Sequence, residues 1–273
     1  MKLNKIKSIF FIRLLLKDYL EEKIYLELSR YNKKLQKILA LSKKYYRGCK
    51  NIEIELIPIS KEELKQGKNY FIKLYDGYYY HIYFNNDKKQ INRDYITSDD
   101  QVSKIKVIIE SSVKKLSTLF YDCDCLKEIN FTRFKRNDIT DMSSMFYGCT
   151  KLIKLNLSNL NTENVTEMNE MFYQCESLKE LNLSNFDTEN VRDMEDMFNG
   201  CEALEKLDLS NFAIINVRNM KNMFNGCVSL IDLDISHFHS NKIIYMKGMF
   251  SGCSEKLKTK IKKQNNEIKQ NAF

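Results

Sequence analysis

Cys175-Glu-Ser-Leu178-Lys-Glu-Leu181-Asn-Leu183-Ser-Asn-Phe186-Asp-Thr-Glu-Asn-Val191-Arg-Asp-Met194-Glu-Asp-Met197-Phe198-Asn-Gly-Cys201 is one period of the repeat that organises this chain. Cysteines recur at Cys123, Cys149, Cys175, Cys201, Cys227 and Cys253, always 26 residues apart. Met-Phe pairs keep the same step at Met145/Phe146, Met171/Phe172, Met197/Phe198, Met223/Phe224 and Met249/Phe250. Leu119-Phe120 holds that slot in an earlier, degenerate copy. Leucines follow each cysteine at Leu152/Leu155/Leu157, Leu178/Leu181/Leu183, Leu204/Leu207/Leu209 and Leu230/Leu233/Ile235, with Leu126/Ile129/Phe131 as a looser first set. A fixed period of this length marks a stack of similar units, none of which can bury its apolar face alone.

The Leu-x-Leu segment alternates, so a short strand with its leucines inward is expected. Val165, Met168, Met171/Phe172 and Cys175 are spaced by three or four, which is helical spacing. The back of each unit is therefore expected to be helical, or a mix of short extended and helical turns. Stacked strands lie about 4.8 Å apart and a helix is about 10 Å wide, which favours a single short turn around Met-Phe. The expected fold class is an α/β repeat solenoid.

Ser158, Ser184, Ser210 and Ser236 follow the strands, and Asn159, Asn185, Asn211 and His237 come next. Small polar side chains at such a corner can bond the backbone groups that a bend leaves open. Gly148, Gly200, Gly226 and Gly252 precede four of the cysteines, where a positive φ at a helix end is expected. Leu-x-x-Leu-x-Leu-Ser-Asn-Phe followed by Asn-Val-x-x-Met-x-x-Met-Phe-x-x-Cys resembles the BspA-like leucine-rich-repeat family over about residues 105–253. The resemblance implies a right-handed, leucine-rich-repeat-like solenoid and protein binding. Bacterial members are often surface proteins and usually carry a secretion signal.

The repeats are preceded by two other regions. In residues 1–48, Leu20, Ile24, Leu28, Tyr31, Leu35 and Ile38 form one stripe of an amphipathic helix. Arg13 and Lys17 interrupt the apolar start and no small-residue cleavage site follows, so the segment reads as a retained helix. Residues 49–104 read as a β-rich cap. Ile52, Ile54 and Leu56 alternate with Glu53 and Glu55. Tyr70–Tyr75 and Tyr78–Phe84 flank Asp76-Gly77, a hairpin signal. Lys104–Glu110 is the expected strand of a first, incomplete unit of a solenoid spanning residues 105–253. A basic C-terminal tail over residues 254–273 is expected to cover the last unit with Leu257, Ile261 and Ile268.

The formal net charge of +8 is not a property of the repeats. Residues 1–50 carry a net +10 and residues 123–252 a net −6, so the basic character belongs to the ends. A Lys-rich helix face is mostly a solvated one, and no nucleic-acid motif accompanies it. The six ladder cysteines share the inward phase of the leucines and read as small hydrophobes. Unpaired thiols fit a reducing compartment, hence a cytoplasmic location. Zinc needs close Cys pairs that this spacing does not provide. His237 and His239 have no third ligand nearby in sequence. There is no Gly-rich phosphate loop, Gly-x-Ser-x-Gly or His-Glu-x-x-His, and no catalytic residue is assigned.

The strand face is the expected binding surface. The slot between the second and third leucines holds Asn130, Asn156, Asn182, Asp208 and Asp234, and the slot before the second leucine holds Glu128, Lys154, Glu180, Lys206 and Asp232. The candidate partner-binding residues are Lys154, Asn156, Glu180, Asn182, Lys206, Asp208, Asp232 and Asp234. Asp208, Asp232 and Asp234 gather in two adjacent units with only Lys206 to offset them. Like charges side by side cost stability, and a basic protein partner would relieve them. The expectation is a monomeric, non-enzymatic protein–protein interaction scaffold with no cofactor, metal, nucleic acid or transmembrane segment. The alternatives are a cell-surface adhesin, by family resemblance, and a ubiquitin-ligase-type substrate adaptor that docks through its N-terminal helices.

Overall fold

Alternating apolar residues make a strand of β1 (Ile52–Pro58), which buries Ile52, Ile54, Leu56 and Pro58 and leaves Glu53 and Glu55 half-exposed. The computed structural model describes residues 51–74, 77–239, 243–265 and 268–273, and the helical region expected over residues 1–48 lies outside them. The remaining strands are β2 (Asn69–Tyr70), β3 (Tyr80–Phe84), β4 (Tyr95–Ile96), β5 (Ile105–Ile109), β6 (Leu126–Arg133), β7 (Lys154–Asn156), β8 (Lys206–Leu207) and β9 (Asp232–Leu233). One α-helix, α1 (Glu255–Gln264), follows them.

These strands form a five-stranded sheet ordered β3-β5-β1-β6-β7 and two two-stranded sheets, β2-β4 and β8-β9. The α/β leucine-rich-repeat solenoid expected from the repeat is overturned. The described residues are mostly sheet and turn, in three small sheets with a single α-helix that lies outside the repeats.

Backbone conformation explains why no helix forms along Met-x-x-Met-Phe. Ser144, Glu170, Asp196 and Asn222 all have φ between 52° and 56°, and Asp122, Gln174, Gly148, Gly200, Gly226 and Gly252 lie between 53° and 75°. Two left-handed residues per unit break any helical run. The segment is a series of tight turns, such as Met171 N–H to the Met168 carbonyl, Tyr173 to Glu170 and Cys175 to Phe172. The freed N–H groups donate to the next unit instead. Met168, Glu170, Phe172 and Gln174 donate to the carbonyls of Asp193, Glu195, Met197 and Asn199 at 2.7–3.2 Å. The glycines have the expected positive φ, but at a turn. A Cβ on Gly252 would come within 3.0 Å of the Gly226 backbone nitrogen, so close backbone approach also favours glycine there.

The inward phase read from the repeat is the phase observed. Phe146, Phe172, Phe198, Phe224 and Phe250 are fully buried, with adjacent rings stacked at centroid distances of 5.5–5.6 Å. Cys149, Cys175, Cys201, Cys227 and Cys253 are buried, and each thiol donates to the carbonyl of the Phe residue 29 positions earlier at 3.1–3.3 Å. Burial pushes the Cys201 thiol up to about 12, leaving almost no thiolate to react. Thiol labelling of the native protein should accordingly be slow at Cys149, Cys175, Cys201 and Cys227 and rapid after denaturation. Fast native labelling would show that the row is open. Cys201→Ser keeps a donor for the Phe172 carbonyl, so it should cost only about 1–2 kcal/mol.

Both ends of the repeats are covered. At the start, β1 pairs antiparallel with β6 and aligns Ile54 with Phe131 and Leu56 with Ile129. Strand β5 pairs antiparallel with both β1 and β3. It is therefore part of the cap sheet rather than the strand of an incomplete first unit. The expected hairpin across Asp76-Gly77 is also corrected. Strand β3 pairs with β5, and the short β2 pairs with β4. Phe71 and Ile72, read as strand residues, are buried outside any strand.

At the other end, Leu257 and Ile261 of α1 are buried. Asn265 donates to the Ile235 and Phe238 carbonyls at 3.1 and 3.0 Å, as Asn211 does to Leu183 and Phe186 two units earlier. The Phe273 ring stacks on Phe250 at 5.5 Å, and the carbonyls of Asn271 and Ala272 accept from Gly248 and Phe250. The tail thus reproduces the bonds of a further unit without its sequence.

Candidate functional site

The leucines of each Leu-x-x-Leu-x-Leu segment point inward, so the residues between them form an exposed surface. All eight sequence-derived candidates, Lys154, Asn156, Glu180, Asn182, Lys206, Asp208, Asp232 and Asp234, are exposed. Parallel pairing sets several of them side by side: Glu128 beside Lys154, Glu180 beside Lys206, and Lys206 beside Asp232. Leu155, Leu181, Leu207 and Leu233 beneath them are buried.

The two rows differ in how much of each side chain is already engaged. In the slot between the second and third leucines, each side chain after Asn130 accepts from the backbone N–H two residues on. The pairs are Asn156 with Ser158, Asn182 with Ser184, Asp208 with Ser210 and Asp234 with Ser236, at 2.8–3.1 Å. This is the Asx turn that ends the strand, and it explains why the slot holds only Asn or Asp. The Ser210 backbone N–H holds the Asp208 carboxyl below its ordinary value, and the Ser236 N–H does the same for Asp234. Asn156 also donates to Asn130 at 2.9 Å.

The second row is a line of alternating charge: Glu128, Lys154, Glu180, Lys206 and Asp232. The Lys154–Glu128 pair is loose, at 3.8 Å. Lys260 of α1 supplies the next positive charge and meets Asp232 at 2.7 Å. Asp232 is therefore paired within the chain, and the acidic cluster read from sequence loses one member to the tail. Such an exposed pair is worth little in stability.

Sequence reasoning passed over two further slots on this face. One holds Thr150, Glu176, Glu202 and Val228, and the other Ile153, Lys179, Glu205 and Ile231. Val228 and Ile231 are 54% and 53% exposed, and Ile153 is 50% exposed. An apolar residue in a slot that other units fill with Glu or Lys was the available signal.

Other features do not converge on chemistry. His237 occupies the Asn slot of the corner, with Nε2 3.1 Å from the Leu209 carbonyl, so that nitrogen carries the proton. The Tyr121, Tyr147 and Tyr173 rings stack 4.4 Å apart, and Tyr121 also lines a shallow cleft of about 430 Å³ with Tyr70, Lys73, Leu74, Asp94 and Thr118. Among the described residues no group of His, Cys, Asp and Glu side chains is arranged to hold a metal ion. No helix among them is long and apolar enough to cross a membrane. The docking helices of the adaptor reading fall in residues 1–48, outside the described residues.

The sequence profile of a family described as Mycoplasma protein of unknown function, DUF285, matches residues 114–229 and, in an overlapping alignment, residues 153–266. Together the two alignments cover more than half of the chain. No curated protein and no solved structure matches it.

Proposed function

We propose that this chain, which belongs to the DUF285 family, is a non-enzymatic protein-binding scaffold of the BspA-like type. It works as a cytoplasmic monomer without a cofactor and meets a basic protein partner on its strand face. The observation that carries this reading is the exposure of the eight charged and amide side chains over a fully buried leucine layer. None of them packs in the core, and Lys206 and Glu180 have no ion-pair partner among the described residues. The repeat consensus and the absence of a recognisable catalytic motif support the non-enzymatic assignment.

The test is a photo-crosslinking amino acid placed in turn at Lys154, Glu180 and Lys206, and at Glu163 and Glu189 away from the strand face, in living cells. A discrete crosslinked protein is expected from the first set only. Crosslinking from Glu163 and Glu189 alone would move the site off this face. With the captured partner, Asp208→Asn combined with Asp234→Asn should weaken binding about tenfold, or about 1.4 kcal/mol. Asparagine keeps the acceptor of the Asx turn, so the change reads charge alone. Unchanged affinity would remove these two carboxylates from the site.

A further inference from the structure

We propose that the strand face takes a basic amphipathic segment of its partner, seated on an apolar pair, Val228 and Ile231, between carboxylates. The inference rests on the strand face being the binding surface and adds the chemistry of what binds there.

The pair occupies the last unit of leucines, that of Leu230, Leu233 and Ile235. Within that unit Val228, Ile231 and Asp234 follow one another at steps of three, and in the unit before, the same slots hold Glu202, Glu205 and Asp208. Backbone pairing holds the two units in register. Ser229 donates to the Glu202 carbonyl, Ile231 donates to the Glu205 carbonyl at 3.1 Å, and Leu207 pairs with Leu233. Glu202 therefore lies beside Val228, Glu205 beside Ile231 and Asp208 beside Asp234, with neighbouring strands about 4.8 Å apart. All six are exposed. Among the described residues the Glu202 and Glu205 side chains have neither an ion pair nor a hydrogen bond.

A single exposed aliphatic residue on a protein surface is ordinary. Here two neighbouring slots that carry Glu in the preceding unit turn apolar together, and unpaired carboxylates border them. A basic segment with aliphatic side chains matches both features, because its cations face Glu202, Glu205, Asp208 and Asp234 while its apolar side rests on Val228 and Ile231. A second copy of the chain fits poorly. A symmetric pair would set these carboxylates against themselves, and two half-exposed aliphatic side chains offer far less area than a stable dimer needs. Nucleic acid is repelled by the same charges.

The probe is a fluorescent 15-residue peptide with lysine on one helical face and leucine on the other, titrated against the full chain. Two control peptides carry glutamine for lysine or serine for leucine. The amphipathic peptide should bind at micromolar concentration and each control at least tenfold more weakly. Val228→Thr with Ile231→Thr should weaken binding tenfold or more. Glu202→Gln with Glu205→Gln should do the same and flatten the salt dependence. Ile215→Thr with Ile244→Thr, which changes equally exposed residues elsewhere, should leave it within twofold. Equal binding of all three peptides, or affinity unmoved by both variant pairs, overturns the proposal. Self-association that Val228→Thr with Ile231→Thr abolishes also overturns it, in favour of a second copy. If a partner crosslinks from Lys154, Glu180 and Lys206 yet ignores both pairs, this inference fails while the strand face stands. If none of those positions crosslinks, the strand-face reading itself fails.

Discussion

Phe198→Ala should lower the unfolding free energy by about 3–5 kcal/mol, the range for emptying a large aromatic site in a packed core. The ring is fully buried and lies between Phe172 at 5.5 Å and Phe224 at 5.6 Å, nearly parallel to both. Its neighbours cannot collapse into the void, because their backbones are tied on both sides. Phe172 donates to Met197, Phe198 to Met223, and the Cys227 thiol donates to the Phe198 carbonyl. A site that cannot relax loses both the transfer energy of the ring and the contacts around the cavity. Urea denaturation of wild type and variant would measure the difference, with the slope checked for two-state behaviour. A loss below about 1 kcal/mol would mean that the row of rings is not a rigid core.

Deleting residues 255–273 should have the next largest effect, a loss of several kcal/mol together with association. Leu257 and Ile261 are buried, and each such side chain contributes roughly 1.5–3 kcal/mol. Without the tail, Phe250 loses the ring of Phe273, and the carbonyls of Ile235 and Phe238 lose the Asn265 amide. The uncovered end would present open backbone groups and apolar side chains, which is a template for pairing with another chain. Thermal melting and sedimentation velocity would read the two consequences separately. A truncated chain that melts like wild type and stays monomeric would show that the tail covers nothing important. Asn265→Ala is the finer probe. It removes two buried hydrogen bonds and should cost about 1–3 kcal/mol while leaving the helix in place.

The candidate surface was only partly legible in the sequence. The repeat alone identifies the exposed slots, because any residue between inward leucines must point outward. What those residues do depends on neighbours that the repeat does not contain. Asp208 and Asp234 read as surplus charge, yet each closes a turn through its own backbone. Asp232 reads as unpaired, yet Lys260 lies 28 residues away in sequence and 2.7 Å away in space. The Tyr-rich hairpin failed for a related reason. Asp76-Gly77 is a strong local signal, but β3 aligns Ile82 with Val107, so a long-range partner outcompeted the local one.

By itself the sequence determined the period of 26 and which side chains are buried. Inward phase depends only on spacing, and leucine, methionine, phenylalanine and cysteine at fixed intervals must share one side whatever backbone carries them. Only the tertiary structure decided what that backbone is. Steps of three and four suit a helix and equally suit a run of tight turns. The choice rests on where the N–H groups find acceptors. In a helix they bond within the segment. Here Glu170, Phe172 and Gln174 bond to Glu195, Met197 and Asn199 of the next unit. Those acceptors exist only once the neighbouring unit is in place, and so the turns and their left-handed residues follow from stacking rather than from local preference.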